Sequence, residues 1–162
     1  MPSFCLHLAK PDFKFAAAHF TLFAGREAET LHGHNYRVAV DVEGAQLDGA
    51  GLLMEIGPLK RKIRQLCALW DEKILIPVRS AELGIETVGD EMVVRYRARR
   101  YVFPAAEVVE LPLVNTTIEL LAQQLWQGLA PAVAGVASQL AVSVEETEGQ
   151  SCRYSAAPPG IG

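Results

Sequence analysis

Two histidines separated by a single glycine open an alternating apolar run in ETLHGHNYRVAVD, residues 29–41, and this juxtaposition constrains the chain more than any other stretch. Residues two apart in a strand share a face. His32 and His34 therefore point the same way as Val38, Val40 and Val42. Gly33 between them leaves room for a ligand or another backbone to come close. Two imidazoles at the mouth of a buried face make half of a metal site. A third stands at the end of FKFAAAHF, where Phe13, Phe15, Ala17 and His19 share parity. Three of the four histidines in the chain thus end an apolar face, which speaks against the plain alternative of half-buried core histidines.

Imidazole nitrogens suit Zn²⁺, and three protein ligands with an open fourth position is the catalytic arrangement. A closed structural site would want a fourth ligand, usually cysteine, and Cys5, Cys67 and Cys152 all lie away from the motif. A cupin would place a glutamate four or five residues after His34, where Val38 and Ala39 stand, and would need a later histidine, of which there is none.

Along the chain, residues 4–9 and 13–20 read as strands broken by Lys10, Pro11 and Asp12, and 34–43 as the strand of the motif. Leu59, Ile63, Leu66 and Trp70 recur at helical spacing after Gly57-Pro58, which predicts a helix over 58–70. Two β-rich runs around a polar tip in EMVVRYRARRYVF predict a hairpin, with Arg95, Arg97, Arg99 and Arg100 at its solvated tip. Ile118, Leu121, Ala122, Leu125, Trp126 and Leu129 mark a second helix, with Thr116-x-x-Glu119 as a capping box and Pro131 and Gly135 near its end. Strands at 139–147 and 151–156 and a loose tail, 157–162, complete an α+β chain with an antiparallel sheet and helices on one face.

The length, 162 residues, suits a single domain. A formal net charge of −4 and the absence of a basic stripe argue against nucleic acid as a partner. No secretory signal and no apolar stretch long enough to span a membrane are visible. Three widely spaced cysteines without a CxxC fit reduced thiols, so the expected location is cytoplasmic.

Glu146 falls on the apolar parity of the strand 139–147, with Leu140, Val142 and Val144. A carboxylate there needs a partner, because an unpaired buried charge is costly. Either an arginine or a planar ligand edge with two adjacent N–H groups would serve.

Taken together, AAAHF, LHGHNYRV, PLK, NTTIELLAQQLW and VSVEET resemble the 6-pyruvoyl-tetrahydropterin synthase / 6-carboxy-tetrahydropterin synthase family, over roughly 13–72 and 111–155. The resemblance implies the tunnelling fold (T-fold): a four-stranded antiparallel sheet backed by two helices, here with an inserted hairpin at about 79–110. It also implies homo-oligomers, hexamers built as dimers of trimers, with a small-molecule dihydropterin bound at subunit interfaces. By position, His19, His32 and His34 match the zinc ligands, Glu146 the group that grips the pterin's 2-amino and N3 edge, and Thr117 and Glu119 a second group lining the pocket. The family's catalytic cysteine falls at Ala28, flanked by Glu27 and Glu29. This resembles a branch in which a glutamate does the cysteine's work, with Glu29 the candidate base. The family's Asp-His pair reads Asp71-Glu72, so Asp71 and Glu72 match its catalytic positions while its histidine is missing. The implied activity is that of a zinc-dependent lyase cleaving the side chain of 7,8-dihydroneopterin or its triphosphate to give 6-hydroxymethyl-7,8-dihydropterin for folate or methanopterin synthesis. Pyruvoyl- or carboxy-type synthase activity and a catalytically silent pterin-binding module are the alternatives.

Overall fold

The computed structural model describes residues 3–160, so the last two residues of the expected tail, 161–162, lie outside the described residues. Strand β1 (Phe4–Leu8), β2 (Lys14–His19) and the long β3 (His32–Gly44) come first, followed by α1 (Ile56–Trp70) and β4 (Lys73–Pro77). Three strands, β5 (Gly84–Val88), β6 (Glu91–Tyr96) and β7 (Arg99–Pro104), occupy the expected insertion. Then come β8 (Val108–Leu111), α2 (Ile118–Val133), β9 (Gln139–Thr147) and β10 (Gln150–Ala156). No helix among the described residues is long and apolar enough to cross a membrane.

The main sheet runs β10-β9-β3-β2-β4-β8, and β1 pairs with the far half of β3 beside β2. Its antiparallel centre, β10-β9-β3-β2, is the expected four-stranded sheet. β4 and β8 extend it by parallel pairing, an addition the sequence did not announce. Parallel strands are covered on both faces and so read as continuous apolar runs. Ile74-Leu75-Ile76 is such a run, and it carries no alternation to read. The curled sheet with two helices against it is the α+β T-fold architecture.

One face of this sheet is apolar because its strands alternate. Tyr36, Val38, Val40 and Val42 of β3 meet Leu140, Val142 and Val144 of β9 and the inward stripes of the helices, Leu59, Ile63 and Trp70 from α1 and Leu121, Leu125 and Leu129 from α2. Each such side chain contributes about 1.5–3 kcal/mol on burial. Phe15 stacks on Tyr36 across the β2–β3 pair at 4.7 Å and takes the edge of Trp70 at 5.3 Å.

A second, smaller core lies under the insertion. Successive residues of β4 face opposite ways, Leu75 into the main core and Ile76 into this one, with Phe20, Ala28, Met92, Val94, Tyr96 and Phe103. The insertion contains the expected hairpin, β6–β7, with Tyr96 opposite Arg99 and a two-residue tip at 97–98, but β5 makes it a three-stranded sheet.

Helix α2 begins one residue later than the capping box requires. Thr117 is its N-cap, accepting from the Leu120 amide, while the Thr116 amide is already taken by the Asn115 side chain. Thr116 and Glu119 therefore form no capping box. Thr116 is fully buried and serves the site instead.

Candidate metal and pterin site

Antiparallel pairing sets His19 of β2 directly opposite His32 of β3, with His34 opposite Ala17. Gly33 lies between the two histidines of β3, where a Cβ would come within 3.3 Å of the Ala17 carbonyl oxygen. The close backbone for which that glycine makes room is thus the neighbouring strand. Alternation turns His32 and His34 to the face of Tyr36, and the three imidazoles converge. Their ligand nitrogens all lie within 4.8 Å of one another, the only such metal-capable cluster among the described residues.

Hydrogen bonds at the back of the rings fix which nitrogen faces inward. His19 Nδ1 lies 3.0 Å from the Thr116 carbonyl and His32 Nδ1 lies 2.7 Å from the Thr30 carbonyl. A carbonyl only accepts, so both rings carry their proton on Nδ1 and present the Nε2 lone pair to the site. Burial holds the His19 pKa below its ordinary value, which keeps the ring in the neutral, ligating form. Its Nε2 is buried and has no hydrogen-bond partner. The Glu146 carboxylate stands 3.2 Å away without hydrogen-bonding geometry. A buried acceptor left unpaired is costly, and a cation bound by three imidazoles would satisfy it. The residues present fit a metal ion.

The seat of His19 is built by the Asn115-Thr116-Thr117 run. Asn115 accepts from the Leu22 and Thr116 amides and donates to the Leu22 carbonyl, and Thr116 Oγ1 donates to the Phe20 carbonyl. Neither Asn115 nor Thr116 stood out in the sequence as a site residue. A single strand pattern carries no sign of a partner ninety residues away.

Two carboxylates flank the cluster. Glu146 Oε1 accepts from the Tyr36 hydroxyl at 3.4 Å and stands 3.5 Å from His34 Nε2, while Oε2 accepts from Gln150. Its partners among the described residues are Tyr36, Gln150 and the imidazoles of His19 and His34, and no arginine pairs with it. Burial, together with the Glu146 charge, raises the Tyr36 pKa well above the ordinary phenol value, so Tyr36 is a neutral donor. Glu29 Oε2 stands 3.8 Å from His32 Nε2. Its carboxylate accepts from the Thr21 amide while its own amide donates to the Thr21 carbonyl. Burial pushes its pKa up, but the Thr21 hydrogen bonds outweigh that and hold it below the ordinary value. Glu27, by contrast, is paired with Arg97 and Arg99. Ala28 buries its methyl in the second core.

The remaining expected residues are Glu72, Asp71, Thr117 and Glu119, of which Glu72 alone lines the cleft beside the histidines. Glu72 lines a cleft of about 900 Å³ together with His34, Glu146 and Arg37. That volume is within the range of small-molecule sites. Asp71 accepts from the Ala16 amide of β2 and so ties the end of α1 to the strand that bears His19. Thr117 spends its hydroxyl oxygen on the helix cap, and Glu119 is exposed in the first turn of α2, where the helix dipole favours a carboxylate.

The sequence model of the family described as 6-pyruvoyl tetrahydropterin synthase matches residues 9–157. The chain belongs to that family. The 6-pyruvoyl tetrahydropterin synthase of Plasmodium vivax, solved as a crystal structure, superposes with a TM-score of 0.90 at 27% sequence identity, covering 97% of this chain and 99% of that one. A second structure of the P. vivax enzyme, in which a catalytic glutamate is changed to alanine, matches with a TM-score of 0.86 at 27% identity over 97% and 99% of the two chains. Among curated proteins, a putative 6-carboxy-5,6,7,8-tetrahydropterin synthase of Methanocaldococcus jannaschii is 24% identical over 145 residues, 87% of this chain and 88% of that protein.

These likenesses correct one expectation. A glutamate in place of the family's cysteine implied a lyase releasing 6-hydroxymethyl-7,8-dihydropterin. The P. vivax relative, which has a catalytic glutamate, is a 6-pyruvoyl tetrahydropterin synthase, and the curated relative is a putative 6-carboxy-type synthase. The relatives support synthase chemistry of the pyruvoyl or carboxy type instead.

Proposed function

We propose that this enzyme carries out 6-pyruvoyl- or 6-carboxy-tetrahydropterin synthase-type chemistry on 7,8-dihydroneopterin triphosphate, with Zn²⁺ held by His19, His32 and His34. The observation that carries the reading is the convergence of three inward-facing imidazoles between two carboxylates, Glu29 on one side and Glu146 on the other. Zinc in that place supplies Lewis acidity to the oxygens of the substrate side chain. The other steps fall to the chain itself. Glu146 accepts the paired N–H groups of the pterin edge, a bidentate contact that fixes how the ring lies. Tyr36 holds that carboxylate from behind. Glu29, ionised at neutral pH, takes the side-chain proton; the catalytic glutamate of the P. vivax relative supports this role. Asp71 and Glu72 stand as further catalytic groups beside Glu29, Thr117 and Glu119 line the pterin pocket, and the family likeness supports homo-oligomers with each site at a subunit interface.

Incubating the purified protein with 7,8-dihydroneopterin triphosphate, with and without added Zn²⁺, and identifying the product by mass spectrometry tests the proposal. A zinc-dependent product bearing a pyruvoyl or carboxy side chain is expected. A product that has lost that side chain, or tight pterin binding without turnover, contradicts it.

A further inference from the structure

The insertion does more than extend the fold. The loop between β2 and β3, which carries Glu29, has no sheet or helix of its own. The inserted sheet holds three successive residues of it. Arg99 donates through Nη1 to the Glu29 carbonyl at 2.6 Å and through Nη2 to the Ala28 carbonyl at 3.0 Å. The same Nη2 lies 3.0 Å from a Glu27 carboxylate oxygen, whose other oxygen accepts from Arg97 at 2.6 Å. The Ala28 amide donates to the Tyr96 hydroxyl at 3.1 Å.

This grip stands on a rigid platform. Tyr96 is buried, sits opposite Arg99 in the β6–β7 register, and carries the Arg97 and Arg99 guanidiniums over its ring at 5.2 and 5.5 Å. Tyr101 stacks on Phe20, the residue that follows His19, at 5.4 Å. Arg97 at the hairpin tip has φ 52°, a left-handed conformation that a residue with a side chain adopts at a cost. That tight turn brings both guanidiniums to Glu27. A guanidinium offers a fixed fork of donors that can take two neighbouring carbonyls and a carboxylate together; an ammonium cannot.

We propose that the inserted sheet is a clamp on the loop of Glu29, with Arg99 as the positioning residue that sets where the Glu29 carboxylate stands relative to the metal site. It rests on the role given to Glu29 above. The clamp never touches substrate. It works through the backbone on either side of the Ala28–Glu29 bond, and a displacement of about 1 Å in a reacting group can cost about a hundredfold in rate.

The test compares Arg99→Met, Arg99→Lys and Glu29→Gln in the zinc-loaded full chain, with Arg100→Ala as the control on the neighbouring exposed arginine. Arg99→Met is expected to lower kcat about 10- to 100-fold with KM within about twofold, to leave zinc content unchanged, and to speed hydrogen exchange at the Ala28 and Glu29 amides. Arg99→Lys should fall between Arg99→Met and wild type, and Arg100→Ala should match wild type. Wild-type kcat in Arg99→Met, a loss confined to KM or to zinc content, or unchanged exchange overturns the clamp. If Arg99→Met does not fold, Tyr96→Phe asks the same question by removing only the hydroxyl that receives the Ala28 amide. Full turnover in Glu29→Gln would remove the role of Glu29 and with it the catalytic purpose of the clamp, while the exchange rates separately report whether the loop is held.

Discussion

What decides the chemistry of His19 and of His32 is the carbonyl behind the ring. A carbonyl behind Nδ1 leaves Nε2 as the lone-pair donor, and for His19 that carbonyl belongs to Thr116, held in turn by Asn115. Outer partners of this kind typically change metal affinity about 10- to 100-fold. Asn115→Ala frees both the Leu22 backbone and the Thr116 amide. It should weaken zinc binding by at least about tenfold in a chelator competition while the chain stays folded; unchanged affinity would show that His19 needs no such seat. The histidines and Glu146 were legible because strand parity places a side chain on a face. Tyr36 lies on the same parity as His32, His34 and Val38. Its ring is core, stacked on Phe15, while its hydroxyl reaches Glu146. Parity reports the face a residue occupies and says nothing about a polar atom at its tip.

At the scale of elements, β3 carries the design: one end holds His32 and His34 and the other anchors β1 and β9. Asp41, on that far half, is buried and bonded to His7 of β1 at 2.5 Å and to Arg153 of β10. Burial pushes its pKa up, but the hydrogen bonds from His7 and Arg153 outweigh that and hold it below the ordinary value. A carboxylate depressed on folding stabilises above its unfolded pKa, about 4, and loses that contribution as pH falls through the folded value. Asp41→Asn should therefore cost about 1–3 kcal/mol near neutral pH, with the gap in melting temperature to wild type closing as pH drops below about 4. A gap that stays constant with pH would mean that Asp41 titrates alike in the folded and unfolded chain. Helices α1 and α2 and the antiparallel strands apart from β5 were readable from their periods. Strands β4 and β8 were not, since a parallel edge of four or five residues has neither alternation nor a turn signal. The arginines at the insertion's tip read as solvated, and Arg95, Arg97 and Arg100 are exposed; Arg99 is half-buried against Glu27, Ala28 and Glu29, partners that lie some seventy residues away in sequence.

For the whole molecule, the sheet supplies two histidine-bearing strands in register, α2 begins at the run that seats His19, and the insertion covers the loop of Glu29. Three regions distant in sequence meet at one centre, which the motifs suggested and pairing across the sheet explains. Everything proposed for the reaction depends on that centre taking one metal ion with the three imidazoles as its protein ligands. X-ray absorption at the zinc edge of the zinc-loaded protein measures this directly. The account predicts one zinc per chain with three imidazole nitrogens at about 2.0–2.1 Å and one further light ligand, and loss of the ion in His19→Ala. Zinc bound with fewer imidazoles, through a cysteine, or undiminished in His19→Ala would contradict it.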